Sequence, residues 1–377
     1  MDIPNMLLVG STARNTGKTT FCVAFLNKWQ DKFDIIGLKV TAIRKGKSAC
    51  PHGNHECGVC ASLVGNYEIT EETNKSGEKD TQKLLAAGAK KVFWIRALTE
   101  YVQEALDVFM AQIAPGHMIV CESNALTAFI TPGASVLMHR NDAMQIKPSA
   151  KLFMQNADFV CDISEPGNIE TVLGKIEVSR AEGQISLACN SLFKNFSLVI
   201  LAGGKSSRMG KDKSDLIYRW RSFLENIVMK GHASGFSEII ISGAEKEVFG
   251  AVNIMDEIEG RGPLSGLYSC LKHAKNPYCF IVTVDVPKID FNELAKLAEF
   301  HLSGGNRATI LTADGKLDPL IGVYNSDLSA DIYEIIKDKP QRIIELFKTV
   351  TCEHYEFKGD MRHLDNINTP EDYEALR

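Results

Sequence analysis

Arg208, Lys211 and Lys213 fall within six residues of one another at the end of the segment Leu201-Ala-Gly-Gly-Lys-Ser-Ser-Arg-Met-Gly-Lys-Asp-Lys213. Glycines let a backbone approach a ligand closely, and successive N–H groups in such a turn form a concavity for anions. Cations beside a triphosphate neutralise charge that develops during phosphoryl or nucleotidyl transfer. Leu198-Val-Ile-Leu201 immediately before it reads as a buried strand, so the turn sits where strand passes to helix. Asp285 follows another apolar run, Phe280 to Val284. A carboxylate at the carboxyl end of a parallel strand suits Mg²⁺, which takes its remaining ligands from water and phosphate. Asp256 also ends a short strand, but Glu257 and Glu259 beside it fit a solvated acidic turn equally well.

A second turn of this kind lies near the amino terminus. Gly10-Ser-Thr-Ala-Arg-Asn15-Thr16-Gly17-Lys18-Thr19-Thr20 follows the apolar run Met6–Val9 and opens a helical pattern. In a phosphate-binding loop the backbone and helix N-terminus receive phosphates, Lys18 pairs them and Thr19 reaches Mg²⁺. Strict spacing puts the first glycine at position 12, where this chain has Thr12, so the first half of the loop is atypical. Glu122 ends the apolar run Met118–Cys121. Cys50, Cys57 and Cys60, with His52 and His55 between them, have spacing compatible with Zn²⁺ and equally with reduced, unpaired thiols.

These residues need strands and helices to hold them. Strands are expected at 6–9, 35–40, 92–95, 118–121, 135–138 and 159–162, with helices at 18–29, 98–113 and 169–178. The stretch from about 46 to 82 reads as irregular, and 180–195 as a polar connection. The pattern restarts with strands at 198–201, 239–241, 253–255, 280–283, 309–311 and 321–324 and helices at 221–231, 266–274 and 292–302. Strands alternating with helices predict α/β domains with mainly parallel sheets. Two domains are expected, 1–190 and 196–377, in keeping with 377 residues at roughly 100–200 per domain.

Bulk composition bounds the function. Hydrophobic residues make up 45% and charged residues 24%, which is ordinary for a globular protein. A net charge of −5 without a dense basic run disfavours extended nucleic-acid binding. No apolar run reaches the roughly 18–20 residues of a membrane span, and the amino terminus lacks the regions of a signal peptide. A cytoplasmic protein is expected, with most of its 10 cysteines reduced.

The segment Leu201-Ala-Gly-Gly-x-Ser-x-Arg-Met-Gly-x-Asp-Lys213 resembles the signature of molybdenum cofactor guanylyltransferases. Gly262-Pro263-Leu264-Ser265-Gly266 is similar to that family's guanine-side loop, Val284-Asp285-Val-Pro287 to its metal-binding segment, and Asn366-Ile-Asn-Thr-Pro-Glu-Asp372 to its carboxyl-terminal close. The resemblance covers about Phe196 to Arg377. It implies a Rossmann-like nucleotidyltransferase that moves GMP from GTP to molybdopterin and releases pyrophosphate. Arg208, Lys213 and Asp285 would be catalytic, with Mg²⁺ on Asp285. GTP would meet Leu201, Ala202, Gly203, Gly204, Lys213, Asp256, Pro263, Leu264, Ser265, Gly266 and Asp285. Arg342 and Asn368, near family-like segments, are candidates to grip the pterin. Related enzymes that attach CMP carry Ala-Ala-Gly where this chain has Ala202-Gly203-Gly204, which favours GTP. Arg219-Trp-Arg-Ser-Phe223 departs from the family's Gly-x-Pro-Leu element.

The first half resembles, more loosely, the P-loop adaptor of molybdopterin-guanine dinucleotide biosynthesis, through Gly17-Lys18-Thr19, Leu38-Lys-Val-Thr41, Lys79-Asp80-Thr81, Ala86-Ala-Gly-Ala89 and Cys121-Glu122-Ser-Asn124. It implies a P-loop NTPase-like domain that binds GTP, holds Mg²⁺ through water at Glu122 and pairs as a homodimer. Molybdopterin-inserting enzymes and molybdoenzyme apoproteins would be further partners. The rival readings are a sugar-phosphate or cytidylyl-type nucleotidyltransferase, and a front half that only senses nucleotide without activity.

Overall fold

The computed structural model describes residues 1–44, 63–114, 116–140, 146–164, 167–203, 213–219, 221–244 and 247–376. Gly204, Arg208, Cys50, Cys57 and Cys60 lie outside these residues. The chain divides into two compact units, Met1–Asn190 and Ser191–Arg377. Each is mixed α/β with a mainly parallel sheet, and among the described residues each main sheet has seven strands.

In the first unit the elements run β1 (Asp2–Ser11), α1 (Lys18–Trp29), β2 (Ile35–Ile43), β3 (Tyr67–Glu72), α2 (Asp80–Ala86), β4 (Lys91–Leu98), α3 (Val102–Gln112), β5 (Met118–Glu122), β6 (Thr131–His139), α4 (Pro148–Asn156), β7 (Phe159–Asp162), α5 (Asn168–Gly174), β8 (Ile176–Ala181) and β9 (Gln184–Cys189). The order across the sheet is β3-β4-β2-β5-β1-β6-β7, with β3 alone antiparallel to its neighbour. Strand β1 buries Met6, Leu7, Leu8 and Val9 completely, as a central strand covered on both faces must. Helix α1 turns Phe21, Cys22, Phe25 and Leu26 to the core at helical spacing. Gly17 precedes it with φ +78, a conformation that favours glycine.

Three expectations change here. The helix expected over 169–178 stops at Gly174, because β8 and β9 form a hairpin in register Ala181↔Gln184. Its two-residue turn, Glu182-Gly183, has φ +51 and +79, the primed turn that matches strand twist. The part of the 46–82 stretch that is described holds strand β3 and the start of α2. The charges of Tyr-Glu-Ile-Thr-Glu-Glu suit an edge strand and hide its periodicity. The helix expected from 98 begins at Val102, after one 3₁₀ turn.

The second unit runs β10 (Phe196–Leu201), β11 (Ile217–Tyr218), β12 (Arg221–Ser222), α6 (Phe223–Ser234), β13 (Glu238–Ser242), β14 (Val252–Ile254), α7 (Pro263–His273), β15 (Tyr278–Thr283), α8 (Phe291–Gly304), β16 (Ala308–Ala313), β17 (Lys316–Asn325), α9 (Leu328–Ile336), β18 (Cys352–Glu356) and α10 (Pro370–Leu376). Its order is β14-β13-β10-β15-β17-β16-β18, with β17 antiparallel to both neighbours. Every residue of β10 is buried. The chain leaves β10 to one side for β13 and returns on the other as β15. The ends of β10 and β15 therefore flank a topological switch point, where ligands bind in open α/β sheets. At the other end Phe193 stacks on Phe236 at 4.2 Å and meets Phe280 and Phe291 edge to face.

Of the segment that departs from the family pattern, Arg221 and Ser222 pair with Tyr218 and Ile217 as the small β11–β12 hairpin, and Phe223 starts α6. Ser222 Oγ accepts from Glu225 N at 3.2 Å while Glu225 Oε2 accepts from Ser222 N at 3.0 Å, a reciprocal cap. Gly262-Pro263-Leu264-Ser265-Gly266, expected as a loop, is instead the first turn of α7. Gly262 (φ +69, ψ −156) turns the chain and Pro263 starts the helix.

Gly10 lies within β1, and an added Cβ would stand 2.4 Å from the ring of Phe153 on α4. Gly10→Ala is expected to destabilise the first unit by about 1–3 kcal/mol through overpacking. A double-mutant cycle with Phe153→Leu checks it: the two changes together should cost clearly less than their sum, and additive losses would refute the contact. In the second unit, burial pushes the His232 imidazole down to about 4, against its hydrogen bond to the Gly250 carbonyl at 2.9 Å. A depressed histidine leaves stability intact above pH 6.5 and removes it as pH falls towards 4. Melting curves across that window should lose part of this slope in His232→Gln.

Candidate functional site

At the switch point of the second unit, Leu201 ends β10 and is nearly buried, Ala202 is half-buried and Gly203 is exposed. Ala202 N–H donates to the Ser242 carbonyl at 3.1 Å, and Val284 N–H donates to the Leu201 carbonyl at 3.1 Å. The turn after β10 is thus tied to the ends of β13 and β15. Gly243 (φ +73) meets Gly203 backbone to backbone: a Cβ at 243 would lie 3.0 Å from Gly203 Cα. The chain returns at Lys213, whose Nζ donates to Asp285 Oδ2 at 3.2 Å and to Asn368 Oδ1 at 2.6 Å. Both members of the Lys213–Asp285 pair are largely shielded, with side chains 16% and 20% exposed, so the interaction is screened less than a surface pair.

Asp285 is held from two further directions, and the turn beside it is fixed by Asp372. The Thr283 hydroxyl donates to its Oδ1. Its carbonyl accepts from Ile367 N–H at 2.9 Å. Asn368 N–H and Thr369 N–H both donate to Asp372 Oδ2, at 2.9 and 2.8 Å, which fixes the turn that presents the Asn368 amide to Lys213. The carboxyl-terminal Asn-x-Asn-Thr-Pro segment therefore supports the lysine through Asn368 and the Asp285 backbone through Ile367. Arg342 is exposed and caps a 3₁₀ turn.

Asp318, on β17, was not singled out by the sequence. Burial raises its carboxyl above the usual range, the Leu320 and Ile321 amides oppose this, and the negative charge of Asp285 adds to the rise. A second acidic group thus faces Asp285. The signal was weak, a lone Asp in a strand of alternating polarity. Asp256 lies against the start of α7: burial raises its carboxyl, a hydrogen bond from Ser265 opposes and Glu259 adds to it. A Cβ at Gly266 would fall 2.2 Å from Ser242 Oγ and 3.4 Å from Asp256 Oδ1, so this glycine lets α7 close on both. Leu264 and Ser265 are fully buried, Leu264 in the core, while Pro263 is exposed.

In the first unit, Lys18 Nζ donates to Ser11 Oγ at 2.9 Å. Asn15 has φ +54, Thr16 is buried with its hydroxyl donating to the Ala13 carbonyl at 3.2 Å, and Thr20 is exposed. Thr12, in place of the usual glycine, is buried and shares a 2.9 Å hydrogen bond with His139 Nδ1. The structure brings Thr19 and Glu122 together with two residues the sequence reading gave no role. Thr19 Oγ1 donates to Asp80 Oδ1 at 3.0 Å, and Lys39 Nζ is ion-paired with Asp80 Oδ2. Lys147 also converges on the turn. Burial, together with the like charges of Lys18 and Arg14, lowers it to about 8. Among the described residues no group of three or more His, Cys, Asp or Glu side chains is placed to hold a metal ion.

No helix of the described residues is long and apolar enough to cross a membrane. Residues 198–352 match the MobA-like NTP transferase domain. A molybdenum cofactor guanylyltransferase of Campylobacter jejuni subsp. doylei is 34% identical over 182 residues, a match that spans 48% of this chain and 94% of that protein. A crystal structure of molybdopterin-guanine dinucleotide biosynthesis protein A from Archaeoglobus fulgidus is 22% identical, with a TM-score of 0.43, over 48% of this chain and 96% of that one. Identity of 34% along nearly the full length of a guanylyltransferase means that this protein, through its C-terminal half, belongs to the molybdenum cofactor guanylyltransferase family.

Proposed function

We propose that the second unit transfers GMP from GTP to the terminal phosphate of molybdopterin. An oxygen of the molybdopterin phosphate attacks the α-phosphorus of GTP. The bond from that phosphorus to the α–β bridging oxygen breaks, and pyrophosphate leaves with the electron pair. No side chain is needed as nucleophile, so catalysis rests on positioning and charge. The observation that carries this reading is Lys213 bridging Asp285 and Asn368 beside the open glycine turn.

Gly203 and its exposed backbone offer amides to the phosphates, and Lys213, with Arg208, neutralises negative charge as the α-phosphorus is attacked. Asn368 holds the Lys213 ammonium in line while its other partner changes. Leu201, Ala202, Gly204, Asp256 and the 263–266 turn complete the proposed GTP site. The metal that the resemblance implies is Mg²⁺, which Asp285 would hold. Asp285 and Asp318 fit it as hard oxygen donors, and Lys213 is the cation among the described contacts of Asp285. When bound, Mg²⁺ would stabilise charge on the attacking and leaving oxygens.

The first unit is proposed to be a P-loop adaptor-like domain that binds GTP at Gly10 and Asn15–Thr20, with Thr19 and Glu122 toward Mg²⁺. The cations Lys18 and Lys147 beside that turn support it. So does Glu122, whose buried carboxylate oxygens have no hydrogen-bond partner among the described residues. A purely nucleotide-sensing role for this unit differs in one readout, GTP hydrolysis by the intact chain.

Incubation of the full chain with GTP, Mg²⁺ and molybdopterin should yield the guanine dinucleotide and one pyrophosphate per product. Absence of both, with hexose phosphates accepted instead, would reject the assignment. Asp285→Ala and Lys213→Ala should each lower turnover by about 10²–10³ with melting behaviour retained. GTP should be preferred to CTP. A methyl at 203 would meet its neighbours only at ordinary contact distance, 3.6 Å or more. Gly203→Ala should therefore fold normally and lower the kcat/KM ratio of GTP to CTP by about tenfold, as the added methyl takes room from a purine edge; an unchanged ratio removes the specificity argument.

A further inference from the structure

Glu122 is 2% exposed, and neither of its carboxylate oxygens has a hydrogen-bond partner among the described residues. A buried carboxylate without donors is costly, and it persists where a proton or a cation meets it. Nearby cations are engaged elsewhere. Lys18 Nζ is on Ser11 Oγ, and Lys39, which stands directly across from Glu122 in the β2–β5 register, is ion-paired with Asp80. Lys39 is thus paired in register with Glu122 and in charge with Asp80, and Asp80 also accepts from Thr19 Oγ1 at 3.0 Å, so Glu122, Asp80 and Thr19 border one small space.

Asp80 carries the complementary signature. Its Oδ2 is ion-paired with the Lys39 ammonium, and its Oδ1 accepts from Thr19 Oγ1 at 3.0 Å. Its side chain is 41% exposed, so it is open to the turn between β1 and α1 and to solvent. A hydroxyl, one buried carboxylate and one accessible carboxylate around a single space make an oxygen-only donor set, which suits a hard divalent cation completed by water and phosphate.

We infer that Asp80, at the start of α2, is a third cation-holding group with Thr19 and Glu122, and that Lys39 fills the cation's electrostatic place until the cation binds. The inference rests on reading the first unit as a nucleotide-phosphate site, and it adds a residue from outside that turn together with an exchange. When the divalent cation arrives with nucleotide, Asp80 gives up Lys39 for the cation, and Glu122 gains the partner it lacks. Helix α2 is then coupled to occupancy of the turn, because Asp80 is its first residue and Thr19 lies in the first turn of α1.

The test uses the full chain carrying Asp285→Ala, which disables the metal candidate of the second unit. Mn²⁺ binding is followed by loss of the free-ion EPR signal, with and without GTP, and GTP binding by equilibrium dialysis. Asp80→Asn and Glu122→Gln should each weaken Mn²⁺ at least tenfold in the presence of GTP. Lys39→Met should strengthen Mn²⁺ binding in the absence of nucleotide, a gain that misfolding cannot mimic. Parent-like Mn²⁺ affinity in Asp80→Asn, with Lys18→Ala still lowering GTP binding, overturns the inference and leaves the nucleotide site standing. If Lys18→Ala leaves GTP binding unchanged, the nucleotide reading fails, and the Mn²⁺-only titrations of Asp80→Asn and Lys39→Met still decide the role of Asp80. Unchanged titrations in both variants overturn it.

Discussion

A shielded lysine–carboxylate pair at the end of a parallel strand is the interaction on which the second unit turns. Lys213 and Asp285 are 72 residues apart in sequence and 3.2 Å apart in space. Little in the local sequence brings them together. The register of β10 with β15 does, by setting Leu201 beside Thr283 so that the two following turns leave the sheet side by side. The Asn368 turn, fixed by Asp372 and bonded through Ile367 to the Asp285 carbonyl, then closes on both. Remove the strand pairing and neither charge has a reason to be where it is. Keep it, and an ammonium and a carboxylate are held beside an exposed glycine backbone, which is the arrangement a triphosphate under attack requires.

On the proposed reading, the first unit meets the same requirement with different parts. Its lysine follows the glycine that precedes α1, and its carboxylates come from β5 and from α2. There the buried acid carries the constraint. A carboxylate as shielded as Glu122 strongly favours a neighbour of opposite charge or a donor, and the described donors are occupied by Ser11 and Asp80. Gly10 shows how glycine serves two ends. Its spacing suggested a phosphate contact, whereas its missing side chain makes room for Phe153.

Much of this was readable in advance where local chemistry is strong. Helix α1 matches its expected bounds because Gly17 starts it and apolar residues recur at helical spacing. Strand β7 does so because four buried residues leave one interpretation. What escaped was decided by partners distant in sequence. The β8–β9 hairpin carries exposed polar residues, so periodicity is faint, and its turn uses Glu182 at positive φ where Asn or Asp is the usual sign. Strand β3 is charged because it is an edge. The first turn of α7 looked like a loop because Gly and Pro are loop residues, yet Pro at the first helical position is also a start signal. Asp80 and Lys39 stand inside segments that carry the looser resemblance, Lys79-Asp80-Thr81 and Leu38-Lys-Val-Thr41, but without a role, and Asp318 carries no motif. The role of each becomes visible only when a strand or helix end brings it against a residue that a motif does mark.

The two candidate sites share one electrostatic logic, and it bears on how ligands enter. In each, a lysine lies where phosphate is expected and a carboxylate lies where a cation is expected. In the structure, ammonium and carboxylate groups satisfy one another: Lys213 with Asp285, and Lys39 with Asp80. On the proposed reading, binding of a nucleotide with its divalent cation exchanges partners of like charge. The ammonium trades a carboxylate for phosphate, and the carboxylate trades an ammonium for metal. Neither group has to be stripped bare in between, so the desolvation penalty that opposes assembling buried charges is largely met during folding. The same logic explains why the pairs are partly exposed rather than sealed. A fully buried ion pair resists exchange, whereas side chains 16–41% exposed leave water a path to assist it.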